Sequence, residues 1–293
     1  MSKLALGTVQ FGLDYGVSND CGEVQKSEVV RILNVCKDND IHLLDTASSY
    51  GKSEQVLGDA GIKSFDIITK LPPRPLLVLD MNEWVERQVH NSLLKLKEKT
   101  IYGILIHNSK DLMDNLGPKL WDALQNLKKK GVIKKIGVSI YSVNELAAIE
   151  KRVYCPDIVQ APLNLFDQSI KTSGWLKKLS ENRIEVHVRS VFLQGVLIQP
   201  KSCRDPYFHK WDNHFGKLEE WLNTTGQTAI EAALNFVCFD PYISKVIVGV
   251  QNSSQLEELA HIASCAKKIA VADELLITDL NLIHPQLWQL QNK

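Results

Sequence analysis

Short apolar runs alternate along the chain with longer stretches in which apolar residues recur at helical spacing. Eight short runs read as strands: Leu4–Gly7, His42–Asp45, Asp66–Leu71, Tyr102–His107, Lys135–Ser139, Ile158–Ala161, Glu185–Ser190 and Lys245–Val250. Gly103-Ile104-Leu105-Ile106 and Val246-Ile247-Val248 have no polar break, the pattern of strands covered on both faces. Helices are predicted over Lys26–Asn39, Glu83–Lys97, Leu116–Lys130, Val143–Lys151, Ser169–Glu181, Lys217–Asn223, Ala229–Phe239 and Ser254–Ser264, and another starts at Ser53-Glu54. Eight βα units predict a closed parallel (β/α)8 TIM barrel, an α/β fold, with a helical C-terminal tail over about Ala272–Leu282. No linker, repeat or charge block divides the chain, so residues 1–293 read as one domain. The longest irregular stretch, Gln199–Gly216, is expected to serve the barrel mouth.

Composition narrows the function. The 293 residues are 44% hydrophobic and 23% charged, with zero formal net charge, so no general attraction to nucleic acid or anionic membrane is expected. No apolar run approaches the ~20 residues that span a bilayer, and no secretory leader pattern opens the chain. The six cysteines show no Cys-x-x-Cys spacing and read as reduced, mostly buried thiols of a cytoplasmic protein. No metal-ligand spacing such as His-Glu-x-x-His occurs, and Gly137-Val138-Ser139-Ile140-Tyr141 lacks the final glycine of a nucleophile elbow. Gly-x-Gly-x-x-Gly and the phosphate-loop motif are also absent.

The polar residues that end successive strands carry the chemistry, because active sites of such barrels lie at the C-terminal ends of the strands. The second strand ends at Asp45 with Tyr50 just beyond, the third at Lys70, the fourth at His107. A carbonyl accepting hydride needs a proton for its oxygen as negative charge grows. A tyrosine hydroxyl can supply it when a lysine ammonium stands close, an aspartate keeps the lysine charged, and a histidine can donate a hydrogen bond to the same oxygen.

Asp45-Thr46-Ala47, Tyr50-Gly51, Ser53-Glu54 and Leu57-Gly58, with Ile68-Thr69-Lys70 and Leu105-Ile106-His107, resemble the aldo/keto reductase signature. The resemblance implies a catalytic tetrad at Asp45, Tyr50, Lys70 and His107. It implies a nicotinamide dinucleotide, NADP by family habit with NAD the alternative, lying extended across the barrel mouth. Its implied contacts are Gly7, Thr8 and Asp45; Ser139 and Gln160 for the carboxamide; Arg189, Ser190 and Gly195 after the seventh strand; and Gly249, Gln251, Ser253, Gln255 and Glu258 after the eighth. The helix near Ser253 would offer backbone N–H groups to a phosphate.

Four positions depart from the family pattern: Ile140 follows Ser139 where Asn is usual, Arg189 replaces a stacking aromatic, and Val248 and Leu259 replace Pro and Asn. Arg189 would oppose an oxidised, cationic ring or contact an anionic substrate, unless a carboxylate pairs with it. The implied partner is a small carbonyl compound, and Arg189-Ser190-Val191-Phe192-Leu193-Gln194-Gly195 resembles a bacterial subgroup linked to sugar metabolism. Phe11, Tyr50, Trp84, Phe166, Phe192, Tyr207 and Trp211 are candidate substrate contacts. Two other readings compete: a cofactor-binding regulatory protein of the same fold, and a Schiff-base enzyme using Lys70. Oligomeric state has no signal in the sequence.

Overall fold

A computed structural model describes residues 2–152 and 154–290; Met1, Val153 and 291–293, included in the domain reading above, lie outside the described residues. Eight parallel strands close into a barrel in chain order: β1 (Leu4–Gly7), β2 (Leu43–Asp45), β3 (Asp66–Leu71), β4 (Ile101–Ile106), β5 (Ile133–Ser139), β6 (Ile158–Pro162), β7 (Glu185–Arg189) and β8 (Lys245–Gly249), with β8 pairing back to β1. Between them lie α1 (Lys26–Asp38), α2 (Ser53–Ala60), α3 (Met81–Leu96), α4 (Gly117–Lys129), α5 (Val143–Lys151), α6 (Ser169–Thr172), α7 (Trp175–Glu181), α8 (Asp212–Thr225) and α9 (Ala229–Cys238); α10 (Ser253–Ser264) and α11 (Leu280–Ile283) follow β8. Among the described residues no helix is long and apolar enough to cross a membrane.

The pleat of the strands sorts residues by chemistry. Leu4, Leu6, Leu44, Ile67, Ile104, Ile136, Val138, Val159, Val186, Val246 and Val248 join the helices in one large core outside the barrel. Ala5, Leu43, Ile68, Leu105, Ile158 and Ile247 form a separate apolar plug inside it. Because side chains alternate with period two, the residues two places beyond the plug, Gly7, Asp45, Lys70, His107, Gln160 and Gly249, return to the interior one layer nearer the C-terminal mouth. A water-excluding floor thus lies directly beneath a polar layer. At the opposite end Tyr102 and Lys135 both donate to the Glu185 carboxylate, giving the barrel a polar base.

Four expectations change in detail. The single helix expected over 169–181 is two, because Gly174 adopts a left-handed conformation (φ 80°) and starts α7 afresh. The 199–216 stretch is less irregular than expected: it holds 3-10 turns at Lys201–Cys203 and Pro206–Trp211, and α8 begins at Asp212. The tail is helical only in short pieces, a 3-10 turn at Asp273–Leu275, α11, and a 3-10 turn at Pro285–Leu287, held by Tyr207 and Trp211, which donate to Asn281 O and Asp279. The cysteines form no disulfide, but only Cys36 and Cys238 are buried; Cys21, Cys155, Cys203 and Cys265 are exposed, outside the apolar stripes that cover the barrel.

Candidate active site

The C-terminal end of β2 is locked from outside by hydroxyls. Thr8 donates its N–H and Oγ1 to Asp45 O, each at 3.0 Å, and Ser53 Oγ donates to Thr8 O at 2.8 Å while lying 3.0 Å from Thr46 Oγ1. The start of α2 is thereby tied to the ends of β1 and β2, which holds the Ala47–Lys52 turn carrying Tyr50 over the barrel. Gly51 is required there: its φ is +53°, and a Cβ would lie 2.1 Å from Gly12 O.

Beneath that turn, Lys70 Nζ donates to Asp45 Oδ2 at 2.6 Å and to Thr46 O at 2.9 Å. The other Asp45 oxygen accepts from Gln160 Nε2 at 2.7 Å, across the barrel. The Lys70 side chain is wholly buried. Burial alone would lower its pKa, yet Asp45 and Tyr50 outweigh it and the ammonium titrates above its ordinary value. Its nitrogen stands 4.9 Å from the Tyr50 ring centroid. A charged, enclosed ammonium bonded to two oxygens is a poor Schiff-base nucleophile, and that reading loses its support.

His107 meets Tyr50 edge to face, with centroids 5.9 Å apart, and its Nδ1 lies 3.3 Å from Ser49 Oγ. Burial, then the Lys70 charge, lowers its pKa to about 4, so the imidazole is neutral near pH 7. A depressed histidine pKa stabilises the fold fully above its ordinary value of 6.5, and the contribution is lost as pH falls towards 4. Urea titrations should therefore show the wild-type protein losing more stability than His107→Asn across that window; parallel pH curves would contradict the assignment.

A cavity of about 480 Å³ opens above this layer. Tyr50, Asp45 and His107 line it, whereas Lys70 lies under its floor. Of the candidate cofactor contacts, Gly7, Thr8, Asp45, Ser139, Gln160, Arg189, Ser190, Gly195, Gly249, Gln251, Gln255 and Glu258 all line it. Ser253 does not: its N–H donates to the Glu28 carboxylate on α1 at 2.6 Å, so the helix end expected to offer it to a phosphate already holds an anion. Arg189 forms no ion pair among the described residues. Its guanidinium stacks on Tyr141 at 4.3 Å and donates to Ile140 O and Ser190 Oγ. The backbone near it is unusual, with positive φ at Ser190, Leu193 and Gln194 and Gly195 pressed against Ser18.

Among the aromatic substrate candidates only Tyr50 and Phe192 reach the cavity. Phe11 and Phe166 are fully buried, Trp84 is buried on α3, and Tyr207 and Trp211 pack with Phe208 near the tail. The reading missed Tyr15 and Tyr141. Tyr141 follows β5 two residues after Ser139, a spacing that could have found it; Tyr15 sits in a loop and is placed by Gln194, which donates to its hydroxyl at 2.9 Å. Burial pushes the Tyr15 phenol up to about 12.

Two buried carboxamide oxygens on the cavity wall, Gln10 Oε1 and Gln199 Oε1, have no hydrogen-bond partner among the described residues. With Ser139, Ser190 and Gln251 they make a lining suited to a long ligand rich in hydroxyl and amide groups, and a nicotinamide dinucleotide fits that description.

An eight-stranded α/β barrel with proton-handling side chains over an apolar plug is the architecture of a barrel enzyme. The aldo/keto reductase family model matches residues 3–275, and the chain belongs to that family of oxidoreductases. Sequence comparison with curated proteins gives no match. Among solved structures, PA4992 from Pseudomonas aeruginosa, described as an aldo-keto reductase, is 24% identical over 91% of each chain with a TM-score of 0.67. The glycerol dehydrogenase AKR11B4 from Gluconobacter oxydans is 23% identical over 94% of this chain and 89% of its own, with a TM-score of 0.68. At these identities the structural likeness speaks for the fold alone.

Proposed function

We propose that the protein is a cytoplasmic NAD(P)H-dependent reductase that converts an aldehyde or ketone to an alcohol, with Tyr50 as the proton donor. The observation that carries this reading is the Asp45–Lys70 pair, buried under Tyr50 at the floor of the cavity. The cofactor, when bound, supplies hydride to the carbonyl carbon. Tyr50 delivers its hydroxyl proton to the carbonyl oxygen, and the adjacent ammonium of Lys70 stabilises the resulting tyrosinate. Asp45 keeps Lys70 charged and oriented, and Gln160 fixes the other carboxylate oxygen. His107 is neutral; in the tautomer in which Nδ1 accepts from Ser49 Oγ, its Nε2–H is available to the same oxygen, so developing charge meets two donors. Ser139, Gln160 and Gly7 would hold the nicotinamide end beside Tyr50.

Arg189 supports a preference for reduced cofactor. A guanidinium with no carboxylate partner among the described residues favours a neutral dihydropyridine over a cationic pyridinium beside it. Arg189→Leu should narrow the ratio of oxidised to reduced dissociation constants, read by fluorescence titration; an unchanged ratio would remove this role.

The test of the function is a panel of aldehydes and ketones, sugar-derived ones included, assayed with NADH and NADPH by loss of absorbance at the dihydronicotinamide band. Carbonyl-dependent oxidation is expected. Cofactor binding with no turnover on any member would favour a regulatory role instead.

A further inference from the structure

We propose that the far end of the cavity selects NAD(H) over NADP(H), with Glu28 and Glu258 as the specificity-determining residues. This rests on the nicotinamide-cofactor reading above. Hydride must be delivered beside Tyr50 and His107, so the rest of a dinucleotide has to extend away from them. The cavity lining includes Gln251, Gln255 and Glu258, where β8 leads into α10. The adenosine ribose therefore comes to lie near the start of α10.

A 2′-phosphate there would look for cations or unused backbone N–H groups. At this end the lining holds no Lys or Arg among the described residues. Arg189 is the lining's one Lys or Arg among the described residues, and it belongs to the reacting end. Three N–H groups at the α10 terminus are already engaged: Ser253 N donates to Glu28 Oε1 at 2.6 Å, Gln255 N to Asn252 Oδ1 at 2.9 Å, and Gln251 N to Gln255 Oε1 at 2.8 Å. The nearby cation is spent too, since Arg31 Nε donates to Glu28 Oε2 at 2.6 Å. Glu28 thus occupies the helix end as an internal anion, and the Ser253 N–H holds its carboxyl below the usual carboxylate range, so it is charged at neutral pH. Glu258 adds a second carboxylate, this one in the lining. A ribose diol can donate hydrogen bonds to carboxylates, whereas a phosphate monoester is repelled by them.

The test is equilibrium binding of NADH and NADPH, by tryptophan fluorescence and calorimetry, to the wild-type protein, Glu28→Ala and Glu258→Gln. Circular dichroism and melting curves confirm folding. Wild type should bind NADH more tightly. Glu28→Ala frees both the Ser253 N–H and Arg31, and should shift the affinity ratio towards NADPH by roughly five-fold or more, the scale of one helix-end charge. Glu258→Gln should shift it the same way and serves if the first variant fails to fold. Tighter or equal NADPH binding by wild type overturns the proposal, as does a ratio unmoved by either variant. Failure of the wild-type protein to bind either nucleotide overturns the cofactor reading itself, a result distinct from binding both with the opposite preference.

Discussion

Replacing Tyr50 with phenylalanine should lower kcat for carbonyl reduction by roughly 10²- to 10⁴-fold, the usual contribution of a positioned general acid, while leaving the fold and cofactor affinity nearly unchanged. The reason lies in what the substitution keeps. A phenyl ring preserves the edge contact with His107 and the face presented to the Lys70 ammonium 4.9 Å from its centroid. Only the hydroxyl is lost, and with it the proton that the carbonyl oxygen must receive. His107 cannot replace it: with a pKa of about 4 the imidazole donates a hydrogen bond but is not protonated near neutrality. The loss should fall on kcat, with the dissociation constant for reduced cofactor close to that of wild type. Near-wild-type turnover by Tyr50→Phe would refute the proton-donor role, and a large drop in cofactor affinity would mean the phenol binds rather than reacts.

The parts of this site that were legible in the sequence are those governed by local periodicity. Asp45, Lys70 and His107 stand two residues beyond Leu43, Ile68 and Leu105 of the plug, and a period of two fixes which side of a strand a residue faces. The bounds of β1 and β3 agree with those expected, residue for residue. What could not be read depends on contacts between distant segments. Gln160 reaches Asp45 across 115 positions, and Glu28 reaches Ser253 across 225. No local pattern around Ser253 announces that a carboxylate from α1 will occupy its N–H. The aromatic candidates failed for a related reason: apolar character alone does not separate Phe192, on the cavity wall, from Phe11 and Phe166, which fill the core. The split between α6 and α7 was within reach, since Gly174 interrupts the predicted helix.

Asp45→Asn should destabilise the protein by about 3–5 kcal/mol in urea unfolding, because it leaves the Lys70 ammonium buried without its countercharge. The neighbours carry no countercharge to replace it: Thr46 O, which also accepts from that nitrogen, is neutral, and Gln160 presents its NH₂ to the aspartate rather than to the lysine. Lys70→Met should cost less than Asp45→Asn. It leaves Asp45 with the Gln160 donor and a mouth-side position, lining a cavity that water can enter. The double variant separates stability from chemistry. If the pair is kept for its effect on Tyr50 rather than for folding, Asp45→Asn/Lys70→Met should recover much of the stability lost in Asp45→Asn, since two neutral side chains carry no uncompensated charge, yet remain as inactive as Lys70→Met. Additive losses in stability would instead show that the two residues act independently in the fold. Recovery of turnover together with stability would show that the ammonium is not what Tyr50 requires.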